Sequence, residues 1–215
     1  VKNPVVFTAY VDDRFGGDTN NNGFNTVPHN GYWRGIDFNN SAPDNASTLE
    51  NIVVHYGGYG TANLYFNNTH QSISNADIAF SSKSGIQSHY SQLDISDSDI
   101  YANVNGIYSR YNTGKLTING GRVFANRDDG IDLVSSSPFE TTSGLEIFGN
   151  AAYGLKSSIA VSAENIWWGA SDGPGGEGVG SGDKVSANVD YAIQRTAGTN
   201  FHYLNAGPNT SIGSL

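Results

Sequence analysis

A glycine followed by a branched aliphatic residue returns about every two dozen residues along this chain: Gly35-Ile36, Gly85-Ile86, Gly106-Ile107, Gly130-Ile131 and Gly154-Leu155. The last three intervals are 21, 24 and 24 residues, and the first, 50, is close to two periods with Asn63-Leu64 filling the gap. A fixed period in this range marks a solenoid, whose repeats bury their apolar faces only against one another. The stretches beginning at Leu93, Leu116 and Leu145 can be laid over one another, each with short alternating runs broken by Asn or Gly corners. Alternation of period two means strand, and no segment carries a helical stripe. Stacked coils align Ile on Ile and Asn on Asn, and corner Asn residues can adopt the left-handed conformation and bond along the ladder. The expected fold is all-β, a right-handed parallel β-helix of roughly seven to eight coils. A β-sandwich offers no reason for Gly-Ile to recur in phase, and a propeller blade needs a period of about 40 residues.

The polarity of the chain comes from Asn, Ser, Thr, Gly and Asp, which form turns well and helices poorly. Aromatics at 12% and regularly placed aliphatics supply a core and disfavour disorder. A net charge of −9 argues against nucleic acid and anionic membranes as partners, and suits divalent cations or neutral ligands. There is no Cys, hence no disulfide framework, and no apolar run reaches the ~20 residues of a membrane span. Low Lys with high Asn, Thr and Tyr has an extracellular, bacterial character. The lack of a signal peptide or initiator Met reads as a mature protein or a domain of a longer chain.

The segment from Val5 to Gly23, followed by Tyr32-Trp-Arg-Gly-Ile36, resembles one that recurs in large secreted bacterial right-handed β-helix proteins of the pectate-lyase-like kind. So does Asn165-Ile-Trp-Trp-Gly169 with Asp172-Gly-Pro-Gly175 and Gly182-Asp-Lys-Val-Ser-Ala-Asn-Val-Asp190. The resemblance implies a secreted or cell-surface location, and a Trp-Trp-Gly element that closes the last coil. It does not choose among lyases, epimerases, adhesins and inert stalks, which share the fold. The domain reading is a β-helix over 1–195, with an inserted loop at 12–31 and a Gly/Trp-rich C-terminal cap at 167–195. Residues 196–215 form a non-repeat tail. Trp167 and Trp168 are expected to cap the stack, one ring buried and one facing the Gly-rich loop 173–182, while Trp33 shields the inserted loop.

Asp18-Thr-Asn20-Asn-Asn22-Gly23 fits the first half of an Asp-x-Asx-x-Asx-Gly calcium loop, in which alternating oxygen side chains on a tight turn converge on one centre. The Phe24 carbonyl would be the backbone ligand. His29 stands where such a loop places a bidentate Glu, so the missing charge must come from Asp12 or Asp13. Calcium, as a structural cofactor, is the first reading. The other is an Asn-rich insertion capped by its own side-chain hydrogen bonds.

On the strand that starts at each Gly-Ile, alternate residues face outward. One outward column reads Asp37, Tyr65, Gln87, Tyr108, Asp132, Lys156 and the next Asn39, Asn67, His89, Arg110, Val134, Ser158. Tyr108, His89, Arg110, Asp132 and Tyr111 are the candidates for carbohydrate contact, because Tyr stacks on sugar faces and Asp, His and Arg direct hydrogen bonds. The bland alternative is that outward positions of a β-helix must be polar anyway. Arg110, Asp129 and Asp132 are the catalytic candidates, because β-helix hydrolases use clustered Asp residues, and lyases and epimerases pair calcium with a Lys or Arg base. The partner motifs of those hydrolases (Asn-Thr-Asp, Ser-His-Gly, Arg-Ile-Lys) are missing, and Asp128-Asp129-Gly130 also matches the plain turn Val104-Asn105-Gly106 one coil earlier. The functional expectation is a non-catalytic stalk, adhesive or glycan-binding module of a larger secreted bacterial protein. The alternative is a calcium-dependent lyase, epimerase or hydrolase acting on an acidic polysaccharide.

Overall fold

The structure is a computed structural model that describes residues 3–23, 25–40, 48–111, 114–135, 138–142 and 144–199. These form strands, turns and loops, with no helix among them, and every strand pairing is parallel. The chain winds into a β-solenoid of about five turns, fewer than the seven to eight coils expected from the sequence. The difference lies at the two ends. Strand Val5–Phe7 is a partial rung paired only to Thr48–His55, and strands Pro174–Gly176 and Gly182–Val185 continue one sheet without making a full coil.

Three faces alternate around each turn. The Gly-Ile face stacks Ile36–Asn39, Ala62–Asn67, Ser84–His89, Ile107–Arg110, Ile131–Val134 and Leu155–Ser157 in unbroken register. Its inner column is Ile36, Leu64, Ile86, Ile107, Ile131 and Leu155, so Asn63-Leu64 does occupy the missing period. A second face stacks Ile78, Ile100, Val123 and Ile147, and a third stacks Ile73, Ile95 and Ile118. Apart from the half-buried Ile36, these side chains are essentially shut off from water. Burying each contributes about 1.5–3 kcal/mol, which no single short strand could gain alone.

The geometry explains why the repeat begins with glycine. A Cβ on Gly106 would lie 2.5 Å from the Gly130 carbonyl oxygen and 2.8 Å from the Asn126 amide nitrogen. One on Gly130 would lie 2.6 Å from the Gly154 carbonyl and 2.8 Å from the Asn150 amide nitrogen. At Gly106 and Gly130 successive coils therefore approach too closely for a side chain, whereas in the Asn63-Leu64 coil the buried Asn63 side chain takes this position and bonds to the Gly57 N–H and to the Val54 and Ala79 carbonyls. The need for glycine is a packing constraint between backbones, since Gly85, Gly106, Gly130 and Gly154 all have ordinary φ values.

The corners are left-handed single residues, repeated in columns. Tyr56, Phe80, Ala102, Ala125 and Gly149 form one column, and Asn40, Asn68, Tyr90, Tyr111 and Ser135 another. Several corner Asn residues are left-handed as the sequence suggested, and Asn68 Nδ2 donates to Asn40 Oδ1 at 2.6 Å. The main Asn ladder stands elsewhere, one residue past a left-handed corner. Asn103, Asn126 and Asn150 each accept from the equivalent backbone N–H one coil earlier, at 2.9, 3.1 and 3.1 Å. Asp183 takes the next position, accepting from Asn150 N–H at 3.1 Å and Asn150 Nδ2 at 2.7 Å.

Outside the second face runs a ladder of rings. Tyr56–Phe80, Tyr101–Phe124 and Phe124–Phe148 are stacked at 4.9–5.1 Å, and Phe80 meets Tyr101 edge-on at 5.7 Å. Beside it, Arg122 clasps the Asp99 carboxylate through Nε and Nη2 at 2.8 and 2.5 Å. Trp168 is fully buried at the C-terminal end. The Trp167 ring lies against Gly198. The segment to Thr199 crosses this end, with Thr199 Oγ1 donating to Glu146 Oε1 at 2.8 Å; the remainder of the tail lies outside the described residues.

Candidate functional site

The outward columns of the Gly-Ile face stand as their spacing implies. Asp37, Tyr65, Gln87, Tyr108, Asp132 and Lys156 are in register, and so are Asn39, Asn67, His89, Arg110 and Val134. His89 is the centre of the first cluster. Its ring meets Tyr65 and Tyr108 edge-on at 5.5 and 6.3 Å, its Nδ1 lies 3.3 Å from the Tyr65 hydroxyl, and its Nε2 lies 3.0 Å from Gln87 Nε2. Partial burial, with the Arg110 charge nearby, lowers the His89 pKa and keeps the ring neutral around pH 7.

Beside it, the corner residues Tyr90 and Tyr111 stack at 5.8 Å, and both are exposed. The Arg110 guanidinium sits 4.3 Å from the Tyr111 ring centre and donates to the Tyr111 hydroxyl at 2.5 Å. Arg110 makes no ion pair among the described residues. Tyr90 and Tyr111 were reachable from sequence as aromatic residues that close this face, although only Tyr111 was singled out for contact.

The three catalytic candidates are not brought together as one centre. Asp129 and Asp132 do meet, but across Lys156, whose Nζ lies 3.1 Å from Asp129 Oδ2 and 3.5 Å from Asp132 Oδ2. Arg110 pairs across the sheet with Val134, and Asp132 pairs with Tyr108. Asp129 is buried at the corner, where its N–H donates to Asn105 Oδ1 at 3.2 Å and its Oδ1 accepts from Tyr153 N–H at 3.1 Å. The corner role thus has a direct structural counterpart in Asn105. Asp132, although it faces outward, is only 8% exposed. Burial raises its pKa despite the attraction of Lys156. Burial works against the charge of Lys156, but the bonds to Asp129 and the attraction of Asp132 outweigh it and raise the ammonium pKa.

The inserted loop separates the metal candidates. Asp12 is committed elsewhere: its carboxylate accepts from Thr8 Oγ1 at 2.6 Å and from Arg14 Nε and Nη2 at 2.7 and 2.9 Å. Burial pulls its pKa upward, but the Arg14 and Thr8 bonds prevail and hold it below the ordinary carboxylate value. Arg14 also donates to the Tyr56 hydroxyl at 2.9 Å, so Asp12 anchors the loop to the aromatic ladder, with three of its roughly four lone-pair sites already taken. Asp18 accepts from the backbone N–H groups of Asn22 and Gly23 at 3.0 and 2.7 Å. Both oxygens of Asp13, with Oδ1 of Asn20 and of Asn22, are shielded from solvent and have no hydrogen-bond donor among the described residues. Phe24 lies outside the described residues. No three of His, Cys, Asp and Glu converge among the described residues. This loop offers one such carboxylate and amide oxygens.

Stacked parallel strands, a Gly-Ile column and inward Asn ladders define the class as a parallel β-solenoid with a polar-aromatic outer face. The chain belongs to the right-handed β-helix family, whose model, described as the right handed beta helix region, matches residues 14–167. No curated protein and no solved structure matches it.

Proposed function

We propose that this chain is a non-catalytic β-helix module of a larger secreted or cell-surface bacterial protein. In this reading it presents glycan to the Gly-Ile face, and a divalent cation holds its inserted loop. The observation that carries the non-catalytic part is the Asp129–Lys156–Asp132 cluster. A hydrolase needs one carboxyl group free to give a proton and another free to activate water or attack. Here a lysine lies between the two, and Asp129 is occupied in holding a backbone N–H. The glycan part is supported by Tyr108, His89, Tyr90, Tyr111 and Arg110, which place exposed rings beside directed donors. An Arg with no carboxylate partner among the described residues favours an acidic group on the sugar at this point of the face.

Titration with uronate-containing oligosaccharides by calorimetry tests the reading. Tyr111→Ala and Arg110→Ala are expected to weaken binding about tenfold each, in line with a lost stacking or charged hydrogen-bond contact. Unchanged affinity in both variants would remove this face as the binding site. Appearance of unsaturated uronate absorbance with the wild-type protein would replace the module reading with a lyase.

A further inference from the structure

We propose that the loop from Asp13 to Gly23 is a built site for one calcium-like divalent cation, held by both carboxylate oxygens of Asp13 and by Oδ1 of Asn20 and of Asn22. The inference develops the cation part of the proposed function and does not depend on glycan binding. Two independent observations meet here. One is the sequence Asp18-x-Asn20-x-Asn22-Gly23, which places oxygen side chains at alternate positions on a tight turn. The other is that the four oxygens named are closed off from solvent and receive no hydrogen bond from any described residue.

The surrounding bonds aim those oxygens. Asn20 Nδ2 and Asn22 Nδ2 both donate to Thr26 Oγ1, at 3.1 and 3.0 Å. Their nitrogens are thereby committed to Thr26, and the carbonyl oxygens are left on the other side of each amide. Asp18 fixes the turn by accepting from two backbone N–H groups. The loop base is pinned where the Tyr10 hydroxyl donates to the Thr19 carbonyl at 3.0 Å and Thr19 Oγ1 donates to the Tyr10 carbonyl at 2.8 Å. A shielded carboxylate without donor or cation is strongly unfavourable, and two shielded amide oxygens beside it deepen the penalty. A hard cation relieves all four at once, since calcium takes six to eight oxygen ligands from carboxylates, carbonyls and water. Asp13 therefore takes the ligand role that the sequence left open between Asp12 and Asp13. With a single ligating carboxylate, the affinity belongs to the weak class of about 10⁻⁴–10⁻³ M typical of extracellular modules.

Calorimetric titration of chelator-treated protein with calcium chloride tests the site, using wild type, Asp13→Asn and Asn20→Asp. One saturable equivalent is expected for wild type, with the melting temperature rising as calcium is added. Asp13→Asn should weaken binding at least tenfold. Asn20→Asp should tighten it several-fold, because a second carboxylate replaces an amide oxygen at the metal, an effect that a purely structural Asn20 would not produce. Terbium luminescence sensitised through Tyr10 and displaced by calcium gives a second readout if Asp13→Asn does not fold. A folded wild type with no saturable binding up to about 10 mM calcium, above the weakest range for such sites, would overturn the proposal. Binding indifferent to both substitutions would overturn it equally.

Discussion

Removing the Asn126 side chain is the sharpest test of how this solenoid is held together. Asn126 is 2% exposed and its carboxamide makes four hydrogen bonds. Oδ1 accepts from Asn103 N–H at 3.1 Å and from Asn103 Nδ2 at 3.3 Å. Nδ2 donates to the Ile100 carbonyl at 3.2 Å and to Asn150 Oδ1 at 2.9 Å. Alanine leaves the Asn103 N–H without its acceptor inside the core, which costs about 1–3 kcal/mol, and the other three bonds contribute about 0.5–1.5 kcal/mol each. The expected loss is about 4 kcal/mol. For a domain of this length it lowers the melting temperature by roughly 8–16 °C. Chemical denaturation of Asn126→Ala, with outward-facing Thr117→Ala as the control, measures it. Asn126→Asp should also be destabilised at neutral pH, because a carboxylate would face the Asn150 oxygen where an amide N–H now points. That deficit should shrink in acid as the carboxyl protonates and regains a donor. If Asn126→Ala cost under about 1.5 kcal/mol, the interior ladder would be satisfied by water and the reasoning would fail.

Two further outcomes follow from the stack. Burial raises the Asp183 pKa above its ordinary value of 3.8, with the Asn150 hydrogen bonds acting against the shift. A carboxylate raised on folding contributes stability below that ordinary value, and the contribution is lost as pH climbs toward the folded pKa. Asp183→Asn completes the ladder without the charge, so denaturation across pH 3–7 should show the variant gaining on wild type as pH rises through that window; a parallel pair of curves would refute it. Gly106→Ala should be destabilised by about 1–3 kcal/mol or more through collision with the Gly130 carbonyl and Asn126 amide, with circular dichroism melts as the check and an unchanged melt as the refutation.

Much of the architecture was legible because a solenoid writes its register into its period. Once Ile107 and Ile131 are recognised as equivalent, Tyr108 must neighbour Asp132 and Arg110 must neighbour Val134, which is the pairing found. The aromatic ladder was written in the same way, at Tyr56, Phe80, Tyr101, Phe124 and Phe148. It escapes attention because Tyr56 and Phe80 come from left-handed corners while Tyr101, Phe124 and Phe148 end strands, so no single offset from Gly-Ile finds all five. The candidate site was less legible. Asp12 and Asp13 are adjacent and chemically identical, yet Arg14 claims one and leaves the other without a donor. Lys156 sits in the outward column by register, but its reach to both Asp129 and Asp132 depends on side-chain direction.

The sequence by itself determined the parallel stacking, the inward Ile and Leu columns and the face on which each polar residue stands. These follow from a backbone repeat and the two-residue alternation of strands. Only the tertiary structure decided why glycine opens most of the repeats, because that answer is the distance between one coil's backbone and the next. It also decided which carboxylates are paired, buried or left without donors. Charge pairing and desolvation depend on contacts between coils and loops at the scale of a single hydrogen bond, and a period of two dozen residues carries no information at that scale.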